Sequence, residues 1–230
     1  VVLTMSELVK IKRSAAQYVD NFYDTTPVKL LQKVHFEIVH GCNLRCVGCP
    51  ISTLLPKVKR VSTEVFRNCM HNVDVDMVGF LRLFNYGEPL LHNNISALLL
   101  EIPKLPYKVK YVEISTNGQY AHWDDLEECL KTGILTQFAV SCDGDGTPES
   151  YERLRPPGKW EKLLEFFEKM AHLKAKYAPN LPLITRTICT DAAEQERWKS
   201  VLTPLGWKPE FRDWLILPDA LDNPSGRDLK

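Results

Sequence analysis

Three cysteines within eight residues carry the most specific chemistry in the chain: Cys42, Cys46 and Cys49, spaced C-x3-C-x2-C in Gly41-Cys42-Asn43-Leu44-Arg45-Cys46-Val47-Gly48-Cys49-Pro50. On a helix they would share one face, but Gly41, Gly48 and Pro50 disfavour a helix here. A loop can wrap three thiolates around one inorganic centre. Thiolates favour iron–sulfur clusters and zinc. Two readings follow. A four-iron cluster held by three cysteines keeps one iron open for a substrate or cosubstrate. A zinc ion would take the same thiolates with His40 or His35 as fourth ligand.

The elements that must position this loop are those of an α/β chain. Val34, Phe36 and Ile38 alternate with polar residues and predict a first strand that ends at Gly41. Strands are expected over 78–84, 108–115, 134–141, 182–190 and 210–217. The 78–84 strand is apolar on both faces apart from Arg82, as in a parallel sheet covered by helices. Between the strands lie helical patterns over 63–72 (capped by Ser62 or Thr63), 94–101, 123–133, 160–177 and 192–202. Over 160–177 the stripe is Leu163, Leu164, Phe167, Met170, Ala171 and Leu173. An amphipathic helix is expected over 6–22. Alternation of this kind implies right-handed βαβ units. Polar clusters then fall at strand C-terminal ends, where α/β folds place their chemistry. They are Gly87-Glu88-Pro89, Thr116-Asn117-Gly118 and Ser141-Cys142-Asp143-Gly144.

The cysteine loop resembles that of radical S-adenosylmethionine enzymes, whose signature is CxxxCxxC after the first barrel strand. Gly87-Glu88-Pro89 resembles the family's GGEP motif, with Tyr86 in place of the first glycine. Thr116-Asn117-Gly118 resembles the segment that lines the barrel top. Ser141-Cys142-Asp143-Gly144, with the run Thr147 to Arg155, resembles the peptide- and protein-modifying branch with SPASM-type tails. Gly48 stands where the family often has an aromatic residue near the adenine. The resemblance spans roughly residues 34–190.

It implies a partial (β/α)6 TIM-like barrel with parallel strands over 34–217, an N-terminal helical extension over 1–33 and a C-terminal loop over 218–230. It implies a [4Fe-4S] cluster on Cys42, Cys46 and Cys49 whose open iron binds S-adenosylmethionine. Reductive cleavage would yield a 5′-deoxyadenosyl radical that abstracts a substrate hydrogen. The implied cosubstrate residues are Gly87, Glu88 and Pro89 for the methionine amine and Ser141 and Asp143 at the ribose. Asn117 lies at the barrel top, and Arg155 near the carboxylate. The expected substrate is a peptide or protein. A glycyl-radical-enzyme activase or a sugar or nucleoside enzyme is the alternative, and a non-catalytic iron–sulfur or zinc module is the rival of another class. A donor such as flavodoxin or ferredoxin would supply the electron.

Composition agrees with this reading. Lysine plus arginine (29) equals aspartate plus glutamate (29). No global field therefore draws the chain to nucleic acid. No apolar run is long enough to span a bilayer, and Glu7, Lys10, Lys12 and Arg13 interrupt any secretory signal. Of seven cysteines, Cys69, Cys129, Cys142 and Cys189 are scattered singly. That is no secreted disulfide framework, and a cytoplasmic location is expected. Cys69 and Cys129 are expected to pack in the interior and Cys142 to be a bystander beside the site. No thiolate follows Cys189, so a single cluster is expected in these residues.

Overall fold

A computed structural model describes residues 28–212. The helix expected over 6–22 and the tail 218–230 lie outside the described residues. In chain order the elements are β1 (Leu30–His35), β2 (Val39–His40), α1 (Pro50–Leu54), β3 (Lys59–Arg60), α2 (Thr63–His71) and β4 (Met77–Arg82). They continue with α3 (Ile95–Leu99), β5 (Lys108–Thr116), α4 (Trp123–Lys131), β6 (Gln137–Ser141) and α5 (Pro148–Leu154). The last are α6 (Trp160–Tyr177), β7 (Leu183–Ile188), α7 (Ala192–Leu202) and β8 (Lys208–Arg212). Among the described residues six strands form one sheet in the order β1-β4-β5-β6-β7-β8, and every neighbouring pair is parallel. This is the expected partial (β/α)6 barrel. β2 and β3 form a separate antiparallel ribbon.

The first strand differs from the reading of its sequence. It begins at Leu30, inside the stretch assigned to an N-terminal extension, and ends at His35. Phe36 and Ile38 lie beyond it. Phe36 packs edge-on against Phe66 of α2 at 5.0 Å between ring centres, and Ile38 is fully buried. Their apolar character serves this loop-to-helix packing. Among the described residues β1 is an edge strand with one neighbour, so its own alternation is weak. The last strand likewise starts at Lys208, two residues before the expected position.

The sheet divides two chemistries between its faces, because successive side chains alternate. Val112 and Ile114 of β5 and Phe138 and Val140 of β6 face the helices and are buried with Leu98, Leu126, Leu130, Leu163 and Phe167. On α6 the buried stripe is Leu163, Phe166, Phe167, Met170 and Leu173, while Leu164 and Ala171 are only partly covered. Phe166 therefore replaces Leu164 in the expected stripe. On α2, Phe66 and Met70 define the buried face. Cys69 lies off that face and is exposed, contrary to expectation, whereas Cys129 is buried as expected. Ser62 caps α2 by accepting from the Val65 amide at 3.2 Å.

Phe167 is fully buried against Trp207, with ring centres 4.8 Å apart. Phe167→Ala is expected to lower unfolding free energy by about 3–5 kcal/mol, read from the shift in urea midpoint. A loss under about 1 kcal/mol would mean that this contact is not part of the core.

Candidate active site

The cysteine loop crosses the C-terminal end of the sheet and is tied down on two sides. On one side the Glu88 amide donates to Gly41 O at 2.9 Å. On the other, the Arg45 and Val47 amides donate to Pro156 O (2.5 Å) and Leu154 O (2.9 Å). These two bonds flank Cys46 on one stretch of chain and Arg155 on the other. Pro50 occupies the first turn of α1, where its missing N–H leaves no bond unmade.

Gly87 is required by close approach. A Cβ built there would meet Val39 O at 1.8 Å. The Tyr86 and Gly87 amides both donate to Glu37 Oε1, at 2.9 and 2.7 Å. This holds the next residue, Glu88, under the sheet's rim with its side chain buried. Glu88 Oε1 accepts from Thr116 Oγ1 (2.5 Å) and the Leu90 amide (2.9 Å), and Oε2 accepts from the Asn117 amide (2.7 Å). Asn117 Nδ2 in turn donates to Asn43 Oδ1 (2.8 Å) and reaches Cys42 Sγ at 3.5 Å. Cys42 Sγ also accepts from the Leu44 amide at 3.4 Å. Cys42, Asn117 and Glu88 are thus one bonded network, and Pro89 is buried at the start of the turn that follows.

A second group centres on Arg155, which is buried and donates through Nη1 to Asp143 Oδ2 at 2.5 Å. Burial opposes its charge, but Asp143 and the neighbouring Cys46, Tyr151 and Cys142 together hold it firmly protonated. Burial pushes the Cys46 thiol up to about 11, and the Arg155 charge works against that rise. Burial likewise raises the Cys42 thiol, opposed by its Leu44 and Asn117 hydrogen bonds. Ser141 faces Ser115, oxygen to oxygen 3.4 Å. Cys142 points the other way, buried beside Thr187 Oγ1 at 3.3 Å.

The residues fit a thiolate-held centre. Three soft donors share one loop, nitrogen donors already serve one sulfur, and a buried cation stands beside a second. Among the described residues, no three His, Cys, Asp or Glu side chains gather around one metal-ion position. His40 Nδ1 faces Glu37 at 3.3 Å and His35 Nδ1 faces Phe84 O at 3.2 Å. A cleft lined by Asp76, Met77, Tyr107 and Thr136 lies at the opposite, N-terminal end of the sheet and contains none of these residues.

Sequence reading missed Glu37, Asn43 and Thr116 as members of the network. Thr116 lay within a recognised motif. Glu37 and Asn43 gave no signal, because their partners are 50 and 74 positions away.

The family model described as "Radical SAM superfamily" matches residues 36–185. The chain belongs to the radical SAM superfamily, whose members use a [4Fe-4S] cluster and S-adenosylmethionine. Among solved structures it is similar to "Native anSMEcpe with bound AdoMet", with TM-score 0.57, 20% identity, 82% of this chain and 52% of that chain covered. It is also similar to "Native anSMEcpe with bound AdoMet and Cp18Cys peptide", with TM-score 0.55, 19% identity, and 80% and 51% covered. The chain spans about half the length of these structures. A search of curated proteins found no match.

Two outcomes follow from this geometry. Gly87→Ala is expected to cost about 1–3 kcal/mol of stability, measured by denaturant unfolding, because backbone must shift to admit the methyl group. Burial lifts the Glu88 carboxyl from an ordinary 4.5 to about 7, against three hydrogen bonds that favour its ionised form. The folded state therefore binds the proton more tightly than the unfolded chain. That contribution is fully present below pH 4.5 and is lost as pH rises through about 7. Glu88→Gln cannot ionise. Its stability relative to wild type should rise by on the order of 3 kcal/mol from about pH 4.5 to above about pH 7, in paired urea titrations. A difference independent of pH would show that Glu88 does not titrate with folding.

Proposed function

We propose that this chain generates a radical for hydrogen abstraction from a peptide or protein substrate. The observation that carries the reading is the continuous network from the Cys42 sulfur through Asn117 to the buried Glu88 carboxylate. A thiolate centre and an ammonium acceptor are thereby held in fixed relation, which suits a cosubstrate that touches both.

In this reading Cys42, Cys46 and Cys49 hold the cluster. The cluster and S-adenosylmethionine, when bound, supply a hydrogen-abstracting carbon radical. Glu88, stiffened by Gly87 and Pro89, accepts the methionine ammonium, and the approach of that cation keeps its carboxyl ionised near neutral pH. Ser141 offers a hydroxyl to the ribose, and Asp143 positions Arg155 beside Cys46 and the cosubstrate carboxylate. Asn117 orients Cys42 by its amide. Substrate must close this mouth, since a primary carbon radical abstracts hydrogen from whatever C–H bond is near.

The peptide assignment draws on Ser141-Cys142-Asp143-Gly144 and on the similar fold of a protein solved with the Cp18Cys peptide. The same reading places a flavodoxin or ferredoxin as electron donor and the protein in the cytoplasm. No helix among the described residues is long and apolar enough to cross a membrane.

The test is anaerobic reconstitution with iron and sulfide. Wild type should hold one four-iron cluster per chain and release 5′-deoxyadenosine with S-adenosylmethionine and a reductant. The triple variant Cys42→Ala, Cys46→Ala, Cys49→Ala should lose both. Glu88→Gln should bind S-adenosylmethionine about tenfold or more weakly at unchanged iron content. Stoichiometric zinc without a cluster, or a cluster that never yields 5′-deoxyadenosine, would overturn the reading.

A further inference from the structure

The inner face of the sheet carries a charged ladder that the cofactor residues do not use. Glu113 of β5 is fully buried and accepts from Arg82 Nε of β4 at 2.9 Å. Its other oxygen pairs with Arg186 Nη2 of β7. Since β6 lies between β5 and β7, that pair crosses over β6, where the small Ala139 stands on the same face. Among the described residues Arg186 Nε is buried without a hydrogen-bond partner, and Glu210 Oε2 of β8 forms a longer ion pair with it at 3.5 Å. Glu210 is shared with Arg212 at the more exposed rim.

Among the described residues charge does not balance here. The inner part sets two guanidinium groups against one carboxylate, and adding Glu210 and Arg212 leaves the same excess cation. Side chains of Arg82 and Arg186 are only 18% and 11% exposed. Desolvating an excess charge is costly, and an apolar filling of the same volume would be cheaper. A ladder whose only role is to stiffen the sheet would not need the excess cation. An excess cation is what a bound anion completes, and a guanidinium fork matches a carboxylate in particular. Position agrees. Arg186 pairs in register with Ser141 across β6 and β7, level with the Ser115 and Ser141 hydroxyls.

We propose that Arg186, oriented by Glu113, is a specificity-determining residue that binds a carboxylate of the substrate inside the barrel. The inference rests on the peptide reading above and narrows it to peptides that present a carboxylate there.

The experiment is equilibrium dialysis of the reconstituted protein against three synthetic peptide pools, read by mass spectrometry. One pool carries Asp and Glu with amidated C-termini. The second replaces them by Asn and Gln. The third is the second with free C-terminal carboxylates. Wild type should retain the acidic pool, or the free-terminus pool, about tenfold more than the neutral amidated pool. The richer of the two identifies a side-chain or a terminal carboxylate. Arg186→Gln should bring retention to parity, and Arg186→Lys should fall between. Equal retention of all pools by wild type, or a preference that survives Arg186→Gln, would overturn the proposal. If Arg186→Gln does not fold, the wild-type comparison and Arg186→Lys still decide. Retention is measured with and without S-adenosylmethionine, so failure to bind the cosubstrate counts against the cofactor reading and leaves the pool comparison intact.

Discussion

The site hangs on one buried carboxylate. Glu88 accepts three hydrogen bonds, two from the end of β5 and one from its own turn, and its amide reaches back to Gly41 at the head of the cysteine loop. A carboxylate taken out of water must be satisfied or neutralised, and here the satisfaction comes from two separate loops. The constraint therefore runs in both directions. The hydrogen bonds from the loops offset part of the cost of burying the carboxyl, and the carboxyl ties the loops together. The contact also requires Gly87, because the chain must pass against Val39 O with no room for a side chain.

The clamp on the far side is of a different kind. Two backbone amides of the cysteine loop bond to carbonyls on either side of Arg155. Backbone bonds specify position without specifying side chains, so Cys46 and Arg155 are brought together by chain path alone. The electrostatic consequence follows from burial. In a poorly solvated setting an arginine beside a thiol favours the thiolate, whereas burial alone favours the neutral thiol. Asp143 then fixes the position of the Arg155 guanidinium beside Cys46.

The same parallel sheet that carries these loops separates oil from charge. Its helix-facing side holds the core aromatics and aliphatics, and its inner side holds Arg82, Glu113, Ser115, Ser141 and Arg186. Strands in such a sheet are commonly apolar on both faces. β4 nearly follows that pattern, and Arg82 is its exception. The exception is satisfied by the buried Glu113 of the neighbouring strand.

Local features were legible in the sequence because their cause is local. Cys42, Cys46 and Cys49 share a loop by covalent spacing, and glycine, proline and helix period mark where strands stop and helices start. The order of motifs after successive strands placed Glu88, Asn117 and Ser141 at one end of a parallel sheet. Tertiary structure decided what depends on register and on distant partners. It moved the first strand to Leu30, because an edge strand with one neighbour has little alternation of its own. It set Cys69 in solvent, since Phe66 and Met70 choose the buried face of α2. It made Glu37 an acceptor for amides 50 positions away, and it drew Glu113 to Arg186 across an intervening strand. No spacing along the chain encodes those contacts, because they exist only once sheet order and curvature bring separate strands face to face.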